Sequence, residues 1–255
     1  NRMGLNNDGA SRIRHRLQRH AGQIAFPVGV NLAKTHDPKI EGDASIEDFC
    51  QSFRTLAPWA DYIALNISCP NTAEGKTFED PNALDRLLTA IMKERAEMNR
   101  RVPILVKFSP PHAERFVLDS LFDELLLVSL AHGVNGFIAT NTASDRRDLI
   151  TPEARLKQIG AGGLSGQPIR NRSTGLVRYL YKKTNGKVPI IGVGGIASAA
   201  QAYEYITAGA SLIQVYTGLV YQGPGLIRSI KEGLVKLLAE QGHSSMQKAI
   251  GSDVD

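Results

Sequence analysis

The chain has 255 residues, 42% of them hydrophobic and 22% charged, with a formal net charge of +5. This is ordinary globular composition, long enough to bury the core of one α/β barrel or two small domains. No window reaches the roughly 18 consecutive apolar residues of a membrane span, and two cysteines are too few for a disulfide framework, which points to a reducing setting. Asn1 rather than Met opens the chain, so a fragment or a processed product is expected and the lack of a targeting segment carries no information.

The first nine residues read as a polar loop. Ile13 and Leu17, spaced i, i+4, then mark the inner side of a helix carrying Arg12, Arg14, His15, Arg16, Arg19 and His20. Those cations would suit nucleic acid or an anionic membrane surface. No aromatic residues interleave for base stacking, so a solvated helix face and no nucleic-acid partner are expected. A strand over 24–31 ends in Asn31. Ser45 to Asp48 resembles a capping box, opening a helix with Ile46, Phe49, Cys50, Phe53 and Leu56 on one stripe. Cys50 on that stripe reads as a structural thiol.

A second strand, 61–67, runs into Asn66-Ile67-Ser68-Cys69-Pro70-Asn71-Thr72. Asp80-Pro81 opens a helix whose face is Leu84, Leu87, Leu88 and Ile91. A third strand, 103–108, carries Lys107 near its end, and a long apolar helix over 113–132 stops at Gly133. A fourth strand, 134–140, leads into Thr140-Asn141-Thr142. Strands over 188–193 and 211–216 follow, each ending toward glycine, with helices over 198–208 and 223–240.

Strands alternating with helices predict a parallel sheet, either an open doubly wound sheet or a (β/α)8 barrel. Six units are two short of eight, and the polar opening has no strand before it. Residues 1–255 are therefore read as one domain holding strands three to eight of a (β/α)8 TIM barrel. The first two βα units and the N-terminal helical region are expected to be absent from this chain. Such a chain alone is not expected to close its barrel. A six-stranded open sheet is the alternative.

Strand ends are where α/β proteins place ligands. Cys69 lies in a polar loop between Ser68 and Pro70, which suits a reactive thiol better than a core residue. Its unperturbed pKa of about 8.5 leaves little thiolate at neutral pH, so a nearby lysine or a closed site would have to activate it. Lys107, in an apolar strand, must project its ammonium into a polar site or pair it with an acid. Gly192-Val193-Gly194-Gly195 and Tyr216-Thr217-Gly218 fall where barrels bind phosphate, because glycine lets backbone N–H groups approach an oxyanion. Gly162-Gly163-Leu164-Ser165-Gly166 is a third flexible loop of this kind. Gly192-x-Gly194-x-x-Ala197 also fits a dinucleotide fingerprint, but it comes late in the chain and Glu204 is too close to serve as the ribose acid. The six histidines show no ligand spacing, so no metal site is expected.

Asn-Arg-Met-Gly-Leu-Asn-Asn, Asn-Ile-Ser-Cys-Pro-Asn-Thr, Ile-Leu-Val-Lys, Ala-Thr-Asn-Thr, Gly-Gly-Leu-Ser-Gly and Ile-Ile-Gly-Val-Gly-Gly-Ile, in that order, resemble dihydroorotate dehydrogenases over almost the whole chain. The opening motif, the Gly-Gly-Leu-Ser-Gly loop and the stretch 188–223 look like the quinone-linked, membrane-associated class 2 branch. The resemblance implies an FMN-containing (β/α)8 barrel that oxidises dihydroorotate to orotate in pyrimidine biosynthesis. It implies that Asn1, Asn66, Asn71 and Asn141, with Thr142 beside them, bind the orotate ring and carboxylate. Asn31, Thr140 and Lys107 would contact FMN, Lys107 stabilising the reduced, anionic flavin. Gly166, Gly194, Gly195, Tyr216, Thr217 and Gly218 would hold the FMN phosphate. Cys69 would be the general base toward substrate C5 while hydride passes from C6 to flavin N5, and Thr72 would relay the proton.

Class 2 enzymes usually carry Ser where this chain has Cys69, and Phe where it has Leu5; Cys at the base position is the class 1 pattern. The resemblance further implies a quinone acceptor and a peripheral membrane contact made through the N-terminal region. The expected location is the cytoplasmic face of a membrane, the cytoplasm, or an organelle. The competing readings are an FMN barrel acting on another dihydropyrimidine or on tRNA dihydrouridine, a phosphate-binding isomerase or aldolase without flavin, and an inactive truncated barrel.

Overall fold

The computed structural model describes residues 4–68, 78–112, 120–146 and 149–254. These form two compact units: a first of residues 4–68, 78–108 and 120–136, and a second of residues 109–112, 137–146 and 149–254.

In the first unit the order is α1 (Ala10–His20), β1 (Gly29–Leu32), α2 (Asp43–Leu56), β2 (Tyr62–Asn66), α3 (Pro81–Ala96), β3 (Ile104–Phe108) and α4 (Ser120–Ala131). The three strands are parallel, in the order β1-β2-β3. Register decides which side chains share a face. Asn31 stands beside Ala64, Ala64 beside Leu105, and Asn66 beside Lys107. Neighbours in a parallel ladder and residues two apart along a strand point the same way. Asn31, Ala64, Asn66, Leu105 and Lys107 therefore share one face. Ile63, Leu65, Ile104 and Val106 share the other and are wholly buried.

Helices cover that apolar face with the stripes expected of them: Phe49, Cys50, Phe53 and Leu56 on α2, and Leu84, Leu87, Leu88 and Ile91 on α3. Each such side chain contributes about 1.5–3 kcal/mol on burial. The Asp80 carboxylate caps α3 by accepting the Ala83 N–H at 2.9 Å. Two side-chain oxygens lock strand starts. Asp61 accepts the Val28 N–H at 2.8 Å, which with Arg100 holds its carboxyl below the usual value. Asn135 Oδ1 accepts the Ile104 N–H while its own N–H donates to the Ile104 carbonyl.

Three local expectations need correcting. The first strand spans only Gly29–Leu32, not 24–31, because Pro27 has no N–H to give and Ile24 and Phe26 face solvent. Ser45 is not the cap of α2, which starts two residues earlier; the buried Ser45 hydroxyl instead donates to the Ile40 carbonyl. Ile13 and Leu17 are only half-buried, so α1 packs lightly. Of the helix expected over 113–132, residues 113–119 lie outside the described residues and the rest forms α4.

The second unit holds β4 (Gly136–Ala139), α5 (Glu153–Ile159), α6 (Arg170–Lys183), β5 (Ile190–Val193), α7 (Ala199–Thr207), β6 (Leu212–Gln214), α8 (Thr217–Gln222), α9 (Gly225–Glu240) and α10 (Met246–Ala249). Its strands are parallel, β4-β5-β6. The last helix expected from 223 starts at Gly225, after Pro224. Gly192 lies beneath α7: a Cβ there would come within 2.4 Å of the Tyr205 ring, so glycine lets the helix sit close to the sheet. Among the described residues no helix is long and apolar enough to cross a membrane.

Candidate functional site

The first unit gathers three of the expected residues on one face. Asn66 and Lys107 are register neighbours at the ends of β2 and β3, and Asn31 lies on the same face of β1. Asn66 is buried at 7% exposure, Lys107 is half-buried and Asn31 is exposed. Ser68, fully buried just past β2, donates its hydroxyl to the Lys107 carbonyl at 2.8 Å and stands 3.3 Å from Asn66 Oδ1. Ser68 thus ties the start of the cysteine loop to the lysine strand. Sequence reading quoted Ser68 without giving it a role; its place two residues past a strand-end Asn was the available signal. Asn1, Cys69, Asn71 and Thr72 lie outside the described residues.

The second unit contains the glycine loops, and they converge. A Cβ on Gly195 would meet the Gly166 carbonyl oxygen at 2.8 Å. One on Gly218 would meet the Ile196 carbonyl oxygen at 2.5 Å, and one on Gly166 would meet the Thr217 methyl at 3.1 Å. The Thr217 hydroxyl reaches Ser165 Oγ at 3.0 Å. Residues 165–166, 194–196 and 217–218 therefore form one glycine-rich cluster of loops packed backbone to backbone, with no room for side chains between them. Gly194 and Gly195 have φ of +139° and +68°, conformations glycine adopts without strain. Glycine-rich backbone of this kind can bring N–H groups to a phosphate. Tyr216, 72% exposed, is the residue preceding α8 and directs its side chain to solvent.

Thr140 and Asn141 leave β4 buried. The Thr140 hydroxyl lies 2.7 Å from Ser173 Oγ and donates to the Asn141 carbonyl, and Asn141 Oδ1 accepts the Thr142 N–H at 2.9 Å. The Thr142 hydroxyl is buried and has no partner among the described residues. The Gly163 loop closes against it: a Cβ on Gly163 would fall 2.0 Å from Thr142 Oγ1, and Ala143 and Leu164 exchange backbone hydrogen bonds of 2.9 and 2.7 Å. Arg146 secures the loop by donating to the carbonyls of Leu156, Gly160 and Gly162. Asp145 accepts from Arg172 at 2.7 Å and lies 3.4 Å from His112. Sequence reading missed these charged residues, because their partners are remote in the chain.

A family model for dihydroorotate dehydrogenase matches residues 1–238. The chain is 40% identical over 257 residues to "Dihydroorotate dehydrogenase (quinone)" of Trichodesmium erythraeum, covering 98% of this chain and 65% of that protein. It is 40% identical over 255 residues to the protein of the same description from Haloarcula marismortui, covering all of this chain and 67% of the relative. The crystal structure of ligand-free DHODH from Eimeria tenella superposes with a TM-score of 0.88 at 31% identity, covering 99% of this chain and 73% of that one. The chain thus spans about two thirds of the length of the curated relatives it matches. Its parallel strands and covering helices are βα units of the (β/α)8 barrel expected from the sequence. From its motifs, its strand-end polar residues and these likenesses, the chain belongs to the dihydroorotate dehydrogenase family.

Proposed function

We propose that the protein oxidises dihydroorotate to orotate in pyrimidine biosynthesis, with FMN as cofactor and a quinone as electron acceptor. The observation that supports this reading is the convergence of the glycine loops at 166, 194–195 and 217–218, whose close backbone packing suits a turn that recognises the phosphate of FMN. Bound FMN supplies the hydride acceptor, and the chain's own residues do the rest.

Cys69 removes the proton from substrate C5 as hydride leaves C6, and Thr72 relays that proton onward. Asn66 and Asn71 hold the substrate ring from one set of strand ends; Asn141 and Thr142, with Asn1, hold its polar edges and carboxylate. The unpartnered Thr142 hydroxyl supports a ligand role for that residue. Lys107 would supply a positive charge to stabilise the reduced, anionic flavin, with Asn31 and Thr140 as further contacts, and its carbonyl is fixed by Ser68. Peripheral membrane contact through the family's N-terminal region would bring the enzyme to its quinone, at the cytoplasmic side of the membrane.

The test is anaerobic, stopped-flow reduction of the FMN-loaded protein by dihydroorotate. Cys69→Ala lowers the rate by about 10²-fold or more while FMN stays bound, since a general base contributes roughly 10²–10⁴. Cys69→Ser keeps partial activity. An unchanged rate in Cys69→Ala removes the thiol from the reaction. Salt-sensitive binding of RNA, together with reduction by dihydrouridine rather than dihydroorotate, would favour the tRNA-directed alternative.

A further inference from the structure

Behind the Gly194–Gly195 turn sits a tyrosine to which nothing above gives a role. Tyr205, on α7, is wholly buried. Burying a hydroxyl is costly unless it is hydrogen-bonded. The Tyr205 hydroxyl donates to the Gly194 carbonyl at 2.6 Å, with the Arg170 carbonyl a more distant acceptor at 3.4 Å. The hydroxyls of Ser173 and Thr174 and the Arg170 carbonyl surround the same oxygen. A Cβ on Gly194 would fall 2.5 Å from Ser173 Oγ and 3.2 Å from the tyrosine oxygen, so the turn rests directly on this hydroxyl cluster. Burial pushes the Tyr205 phenol up to about 12, which keeps it a donor at every physiological pH.

The consequence follows from peptide geometry. The Gly194–Gly195 bond is trans. In a trans peptide the carbonyl and the following N–H point in opposite directions. Pinning the Gly194 carbonyl inward onto Tyr205 therefore aims the Gly195 N–H outward, to the half-exposed side of the turn. Among the described residues that N–H donates to no acceptor. The Gly166 carbonyl lies against Gly195, and Gly218 lies against the carbonyl of the next residue, Ile196. We infer that Tyr205 is a positioning residue for phosphate recognition, its hydroxyl holding the Gly194–Gly195 peptide so that the Gly195 N–H faces the phosphate of the flavin nucleotide. This inference rests on the FMN reading above.

Tyr205→Phe keeps the ring and removes only the donor. The experiment measures, by flavin-fluorescence titration of the flavin-free protein, the affinities for FMN and for riboflavin, which lacks the phosphate. In the variant FMN binding weakens about tenfold, the worth of one well-placed hydrogen bond, while riboflavin binding is unchanged. Hydrogen exchange of the flavin-free variant quickens over residues 194–197 and not along α7. The inference is overturned if FMN affinity is unchanged, if FMN and riboflavin weaken by the same factor, or if α7 loses protection together with the turn, because each makes Tyr205 a packing residue only. If the wild-type protein binds neither flavin, or does not prefer FMN to riboflavin, the cofactor reading itself fails and takes the inference with it.

Discussion

At Gly194 one added carbon meets Ser173 Oγ at 2.5 Å, on a backbone whose φ is +139°. Gly194→Ala combines a strained conformation with overpacking, on the order of 2–4 kcal/mol together. A melting temperature lowered by about 5–10 °C, read by circular dichroism, is expected; an unchanged melting point would mean that the turn is free to move. Cys50 gives a prediction with pH. Burial first, then Glu94 and Glu47, raises its thiol from 9.0 to about 11. A group raised in the folded state binds its proton more tightly there than in the unfolded chain. Its contribution is fully present below pH 9 and lost as pH climbs from 9 to 11. Urea titrations of the wild type and of Cys50→Ala should therefore show stability curves whose separation changes only above pH 9. A parallel pair of curves across that window would contradict the burial of the thiol.

At the scale of elements, the β2–β3 register sets Asn66 beside Lys107, and the Ser68 hydroxyl fastens the Lys107 carbonyl. Lys107→Met keeps the stem and removes the charge. The flavin should then become harder to reduce, its midpoint potential falling by about 30 mV for each 1.4 kcal/mol of lost stabilisation. An unshifted potential would place the lysine away from the flavin. On α3, Asp80→Ala should cost about 1 kcal/mol through loss of the cap on the Ala83 N–H, with no effect on flavin binding.

Much at this scale was legible in the sequence. Period-3.6 stripes on α2 and α3 and apolar runs for all six strands are dictated by which face each element buries. The polar strand-end residues Asn66 and Lys107 broke those runs and stood out. Helix α6 did not show itself, because its first turns bury Arg172, Ser173 and Thr174 and its apolar residues Leu176, Val177 and Leu180 come only from its middle onward. Tyr205 drew no reading; its hydrogen bond is to a carbonyl 11 residues earlier that only the folded turn brings to it. The first strand was expected to start at residue 24 but starts at Gly29, because an apolar composition was read through Pro27.

At the scale of the whole molecule, one chain joins a class 1-like Cys69 to motifs that resemble class 2. The first unit carries the lysine strand and the second the converging glycine loops. Family membership is established over residues 1–238, and the chain spans about two thirds of its curated relatives. The central claim is that these residues serve a flavin that dihydroorotate reduces. Its most direct test is the visible spectrum of the purified protein loaded with FMN, recorded anaerobically before and after adding dihydroorotate. The account predicts bound-flavin absorption bands that bleach with dihydroorotate and return with a quinone. A folded protein that retains no flavin, or whose flavin bands stay unbleached by dihydroorotate, would contradict it.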